Sequence, residues 1–305
     1  MGHIVPPAPR SVSGMPRVVA VLRPDGPEVV DPAQPVITVD DLGLTRGDGC
    51  FDSGLVTDDG DGHVVRGLDD HLERLTRSAA ALEITPPPRE AWVSLVDAAL
   101  AAWGTPGDAS LKLVLTRGRE WDPDAGPTAW AVVSPRASGR PQRGEGGSDP
   151  VSAVTLTRGH PSDAFEDAPW LLGGAKTLSY VVNVAAQREA ARRGADDVVF
   201  TSTDGYALDA PMAGLLVVRD GRWLSTPTGP TGILESLSVA TILRAAAEDG
   251  QDSAFELVPV EHLYDADGVW LVASSRGPTP VGELDGRPLR VDPDLVATAA
   301  RYAGF

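Results

Sequence analysis

Fourteen residues near the middle of the chain, Ala137 to Pro150, read Ala-Ser-Gly-Arg-Pro-Gln-Arg-Gly-Glu-Gly-Gly-Ser-Asp-Pro. A run of Gly, Pro and small polar residues reads as a flexible crossing rather than a core element. The chain is therefore expected to build two halves, 17–136 and 151–305, with 137–150 as the linker. At 305 residues it can bury two cores. Residues 1–16 hold Pro6, Pro7, Pro9 and Pro16 and lack the apolar centre of a signal peptide. They read as a flexible leader, with Met15 as a second candidate start.

Within each half, strand and helix patterns are mixed. Val18–Leu22 and Val36–Val39 read as strands about a turn at Pro24-Asp25-Gly26. Cys50–Val56 and His63–Arg66 flank Asp58-Asp59-Gly60-Asp61-Gly62, a hairpin signal. Leu68, Leu72, Leu75, Ala79 and Leu82 recur at helical steps, and Pro86-Pro87-Pro88 stops that helix. A second helix is expected over about Glu90–Trp103, then strands at Leu111–Thr116 and Thr128–Val133. The second half opens with a strand at Val151–Thr157. After Lys176, apolar Leu178, Val181, Val182, Ala185 and Ala186 fall on one helical stripe that Gly194 ends. Asp204-Gly205 and Asp220-Gly221 mark turns in a meander. Helices near Leu234–Ala247 and Leu295–Tyr302 and a strand at Val269–Ser274 complete an α+β pattern. Leu-Thr-Arg-Gly occurs three times, ending at Gly47, Gly118 and Gly159, but its flanks differ and no repeat is inferred.

Charge and cysteine usage narrow the function. A formal net charge of −17 argues against a nucleic-acid partner, which needs clustered positive surface. No apolar run approaches the ~18 residues of a membrane span. Cys50 is the lone cysteine, so neither a disulfide framework nor a thiolate metal cluster is available, and a reducing, cytoplasmic setting is expected. The five histidines form no H-x-x-x-H pair, so no metal site is expected. A small anionic ligand remains open, because local arginines and backbone N–H groups suffice for it.

Chemistry concentrates between Lys176, placed at the opening of a helix, and Asp209, in a strand hairpin. An amine that condenses with an aldehyde, and a carboxylate that keeps a pyridine nitrogen protonated, are what pyridoxal 5'-phosphate (PLP) chemistry needs. The surrounding residues resemble the fold-type IV PLP enzymes: branched-chain and D-amino-acid aminotransferases and 4-amino-4-deoxychorismate lyases. Gly47-Asp48-Gly49-Cys50-Phe51-Asp52 is similar to their G-D-G-x-F-E, and His71-Leu72-Glu73-Arg74-Leu75 to H-L-x-R-L. Lys176-Thr177-Leu178-Ser179-Tyr180 with Asn183 and Glu189-Ala190 resembles K-x-L-x-Y-x-x-N and E-A. Asp204-Gly205-Tyr206 leads to Asp209, Gly232-Ile233-Leu234-Glu235-Ser236-Leu237-Ser238 resembles G-I-L-P-G-x-T, and Trp270–Ser274 stands at the place of F-L-x-x-S/T.

The resemblance implies a two-domain fold-type IV architecture, with a smaller N-terminal α/β domain and a larger C-terminal cofactor domain, assembled as a homodimer. It implies PLP held by Lys176, Arg74 (phosphate), Asp209 (pyridine nitrogen), Leu237, Ser238 and Ser274. Tyr180 either leans on the cofactor or packs in the core, and Cys50 and His71 read as packing residues. Lys112, Arg117, Arg119, Arg46 and Arg276 are candidates for substrate carboxylates, with Arg117, at the end of a strand resembling the lyases' R-G turn, preferred. Four departures stand out: Asp209 replaces glutamate, Gly214 stands near the usual asparagine, Glu235-Ser236 replaces Pro-Gly, and Val239 replaces a usual arginine. A carboxylate at 235 would repel a phosphate unless it points away. The expected activity is release of pyruvate and 4-aminobenzoate from 4-amino-4-deoxychorismate. The competing readings are a D-amino-acid or branched-chain aminotransferase and a non-catalytic binding relative.

Overall fold

The computed structural model describes residues 16–58, 60, 62–136 and 149–305. The leader up to Met15 and linker residues 137–148 fall outside them. The first half contains β1 (Val18–Arg23), β2 (Gly26–Val30), α1 (Leu42–Arg46), β3 (Gly49–Asp58), β4 (His63–Val65), α2 (Leu68–Ala81), α3 (Arg89–Ala102), β5 (Ala109–Thr116) and β6 (Thr128–Pro135). Its strands form one antiparallel sheet in the order β2-β1-β6-β5-β3-β4. Alternation along β5 drives Leu111, Leu113 and Leu115 to one face, where they pack with Leu72, Leu75 and Ala79 of α2 and Trp92, Leu95 and Ala99 of α3. Each such leucine contributes about 1.5–3 kcal/mol on burial. Lys112 is left exposed on the opposite face of β5.

The second half adds β7 (Val151–Thr157), α4 (Val181–Arg192), β8 (Asp197–Thr201), β9 (Tyr206–Ala207), β10 (Gly214–Arg219), β11 (Arg222–Ser225), α5 (Leu237–Glu248), β12 (Ser253–Phe255), β13 (Val258–Pro259), β14 (Gly268–Ala273), β15 (Gly277–Leu284), β16 (Arg287–Pro288) and α6 (Pro293–Tyr302). The sheet runs β12-β11-β10-β14-β15-β7-β8-β9-β13, with β16 paired to β15. β7 is parallel to both β15 and β8, so the chain must cross over between β7 and β8, and that crossover carries Lys176 and α4. Trp223 and Trp270 stack at 6.1 Å beneath α5 and α6.

Two sequence expectations fail here. Residues 36–39 form no strand, and Val39 is exposed. The tight turn after Arg23 lets Gly26–Val30 pair back on β1 at once, with Arg23 opposite Gly26. The helix expected to open at Lys176 begins instead at Val181. Its buried positions are Ala186 and Ala190, whereas Val181 and Val182 are exposed. The small alanines let α4 lie close on Val198 and Phe200 of β8.

Candidate active site

Residues 176–178 form no helical turn because their backbone groups pair with the first half of the chain, with Thr177 bridged antiparallel to Cys50. Phe51 N–H donates to the Lys176 carbonyl at 3.0 Å, and Leu178 N–H donates to the Gly49 carbonyl at 2.8 Å. Lys176 N–H donates to Ser78 Oγ of α2 at 3.0 Å. Gly49 permits this approach: a Cβ there would lie 2.7 Å from Leu178 Cδ1 and 2.5 Å from the Leu115 carbonyl oxygen. The two halves are thus stitched together at the lysine itself. Its amine projects into a cavity of about 480 Å³, 4.7 Å from the centre of the Phe51 ring and 5.5 Å from that of Tyr180. Phe51 and Tyr180 meet edge to face at 5.1 Å. Burial, and then the positive charges of Arg74 and Lys112, lower the Lys176 amine to about 8, against the opposing pull of Asp52 and Asp209.

Asp209 also lines the cavity. Its place is fixed from β8, where Phe200 N–H donates to the Asp209 carbonyl at 2.8 Å. Its Oδ1 is buried with no hydrogen-bond partner. Burial raises the carboxyl to about 6, opposed by Arg158 and Lys176. A native fold rarely leaves such an atom unmet without a functional reason, and a protonated ring nitrogen has the donor it lacks. Arg158 lines the same cavity, with its guanidinium 4.5 Å above the Phe200 ring and Nη1 donating to Asn183 Oδ1 at 3.4 Å.

Arg74 is buried on the cavity wall, and the sequence reading overlooked what holds it. Its Nε and Nη2 each donate to the Asp52 carboxylate at 2.8 Å, and Nη1 donates to the Glu235 carbonyl at 2.9 Å. His71 Nδ1 joins Asp52 Oδ1 at 2.7 Å, so His71 does more than pack. Burial alone would raise Asp52, but bonds from His71 and Arg74 hold it at about 2. Hydrophobic periodicity could not flag Asp52; its place in the motif two residues after Cys50 could have.

Helix α5 starts at Leu237 rather than Leu234, with Ser236 as its cap: Ser236 Oγ accepts from Val239 N–H at 3.3 Å. Leu237 and Ser238 therefore stand in the first turn, whose N–H groups have no partner inside the helix. Ser238 Oγ lies 3.2 Å from Ser274 Oγ, and Ser274 lines the cavity. Two departures from the family pattern meet in space. A Cβ at Gly214 would fall 2.7 Å from Ser236 Cβ and 2.9 Å from Val239 Cγ2. The space a side chain at 214 would need is filled by Ser236 and Val239.

Of the candidate carboxylate receptors, Lys112 lines the cavity, its amine 5.5 Å from the Phe51 ring centre. Arg117 does not; it is bound to Asp48 at 2.6 Å and to the carbonyls of Leu82 and Glu83. Arg119 pairs with Asp40, Arg276 with Asp197, and Arg46 lies 3.9 Å from Glu120. Arg158 was missed because its flanking Leu-Thr-Arg-Gly carried no recognisable motif. Among the described residues no group of three or more His, Cys, Asp or Glu side chains could hold a metal ion, and no helix is long and apolar enough to cross a membrane.

An amine and a buried carboxylate with one unmet oxygen share the cavity with a buried arginine and Ser274. Leu237 and Ser238 do not line it, and Ser238 reaches it only through Ser274, an arrangement that fits a phosphorylated aldehyde with a ring nitrogen. The family model for amino-transferase class IV matches residues 49–284, and the chain belongs to that family of PLP-dependent enzymes. It is 39% identical over 278 residues, 88% of this chain and 92% of the other, to the bifunctional aminodeoxychorismate lyase / D-amino acid transaminase of Mycobacterium tuberculosis. A fold IV-transaminase structure from Curtobacterium pusillum superposes with a TM-score of 0.84 at 37% identity, covering 94% of this chain and 99% of that one. The PLP-bound form of an aminotransferase from M. tuberculosis gives 0.84 at 35% identity, covering 94% and 97%. The fold-type IV architecture expected from the motifs is therefore the observed one.

Proposed function

We propose that this protein is a PLP-dependent 4-amino-4-deoxychorismate lyase that releases pyruvate and 4-aminobenzoate. The observation that carries the reading is the pair of Lys176 and the buried Asp209 carboxylate, whose Oδ1 has no hydrogen-bond partner, in one cavity. Lyase chemistry is the part supported by the bifunctional M. tuberculosis relative. When bound, the cofactor supplies an aldehyde that condenses with amines and a protonated ring that draws electrons from the substrate carbon. Lys176, Asp209, Arg74, Ser274 and the first turn of α5, with Leu237 and Ser238, would hold it.

Each side chain then has a stated task. Lys176 Nζ is the proton acceptor: its amine, lowered to about 8, is about a tenth neutral at pH 7, far more than an ordinary lysine, and takes the proton from the amine-bearing substrate carbon. The same Nζ can return a proton later. Asp209 keeps a negative charge at the ring nitrogen, and Arg158 counters the burial that would neutralise it. Phe51 and Tyr180 wall the amine from water. Lys112 offers a positive charge to a substrate carboxylate, a role for which Arg117 is not placed within this cavity.

A second activity, D-amino-acid transamination, is favoured by the same relative's double name. It uses the same lysine and differs in returning the amino group to a 2-oxo acid. Incubation with 4-amino-4-deoxychorismate, following pyruvate and 4-aminobenzoate, tests the lyase reading. Transfer from D-alanine to 2-oxoglutarate without 4-aminobenzoate would leave transamination alone. We also infer two domains, a cytoplasmic setting and a homodimer. The dimer is supported by Trp170, Leu171, Val181, Val182 and Met212, exposed apolar side chains on or beside the cavity wall.

A further inference from the structure

The turn before α5 carries a carboxylate beside the place where an anion is to bind. Leu234 and Ser236 line the cavity, while Glu235, between them, does not. Its carboxylate turns outward to Arg77 of α2, with Nη2 donating to Oε2 at 2.5 Å. Its carbonyl turns the other way and accepts from Arg74 Nη1 at 2.9 Å. Successive turns of one helix thus hold one residue by both ends. Arg77 is also 3.2 Å from Glu73, one turn earlier, so it bridges two carboxylates. Arg77 and Glu235 are each about half exposed, 49% and 49%.

We propose that Arg77 is a positioning residue that neutralises Glu235 and turns its carboxylate out of the cavity, making an acidic turn compatible with a phosphorylated cofactor. This deepens, and rests on, the PLP reading above. An exposed ion pair contributes little to stability, so the pair's worth lies in where it puts the charge. Without Arg77, a full negative charge on a short turn would be free to swing toward a phosphate dianion. At separations of several ångströms in a partly solvated site, that repulsion amounts to about a tenfold change in affinity. It is screened as salt rises.

The test is a titration of cofactor-free, full-length protein with pyridoxal 5'-phosphate and, separately, with pyridoxal, which lacks the phosphate. Arg77→Gln is expected to weaken PLP binding about tenfold at low ionic strength and less at high salt, while pyridoxal binding is unchanged. Arg77→Lys should retain wild-type affinity within a few-fold. Glu235→Gln alone should bind PLP at least as tightly as wild type. The double variant Arg77→Gln/Glu235→Gln should return to within about twofold of wild type, a rescue that a merely structural role for Arg77 would not produce. Unchanged PLP affinity in Arg77→Gln, an equal loss for pyridoxal, or no rescue in the double variant would each overturn the proposal. Wild-type protein that fails to bind PLP at all would instead remove the cofactor reading, and this proposal with it.

Discussion

At Asp209, burial ties the stability of the fold to pH. A free aspartate titrates at 3.8, and burial brings this one to about 6. The folded, cofactor-free protein therefore binds more protons than the unfolded chain between those values, and stability falls as pH rises through that window. Asp209→Asn removes the buried charge. It is expected to stabilise the cofactor-free protein at pH 7 by on the order of 1–3 kcal/mol, an effect that vanishes near pH 4, as thermal melts across pH would show. The same variant should turn over about a hundredfold more slowly, because the ring nitrogen loses its anion. A variant as active and no more stable than wild type would mean another group meets the ring. Lys176, Asp209 and Arg74 were legible as residues because their motifs are local. Asp52 and Arg158 were less so, since their importance lies in what they touch across the fold: Asp52 reaches α2, and Arg158 stacks on β8.

At the scale of elements, the turn ahead of α5 illustrates compensation. Gly214 opens β10, and Ser236 caps α5 against it with no room for a second side chain. Restoring asparagine at 214 is expected to cost about 1–3 kcal/mol by overpacking and to weaken PLP binding by displacing the cap. Adding Ser236→Gly should recover part of both losses, since Val239 Cγ2 still stands 2.9 Å from a Cβ at 214, measured by urea unfolding and PLP titration. Additive losses in the double variant would break the coupling. Periodicity located α2 and α3 within a residue or two, because their apolar stripes are long and face one core. It misplaced the start of α4, because residues 176–178 satisfy their backbone on β3 and α2 and leave the helix to begin after Tyr180. The apolar stripe read for α4 was a mixture: alanines face the sheet, and valines face outward.

Across the whole molecule, the lysine proposed as catalytic lies on a seam between the two halves, its segment bonded to β3 and α2. The outward valines fit the same picture on the exterior. Val181→Glu with Val182→Glu is expected to convert a dimer to monomer in light scattering at micromolar concentration, with the monomer retaining its circular dichroism. A wild-type protein already monomeric under those conditions would remove the inferred dimer. The architecture was legible in the order of six short motifs, each too weak alone, whereas the bonding of the lysine segment depends on partners distant in sequence. The most direct measurement is to incubate the protein with PLP, reduce with borohydride, digest, and map the added mass. The account expects a single pyridoxyl-phosphate label on Lys176, absent in Lys176→Ala although that variant stays folded. A label on Lys112 instead, or none on protein shown to be native, would contradict it.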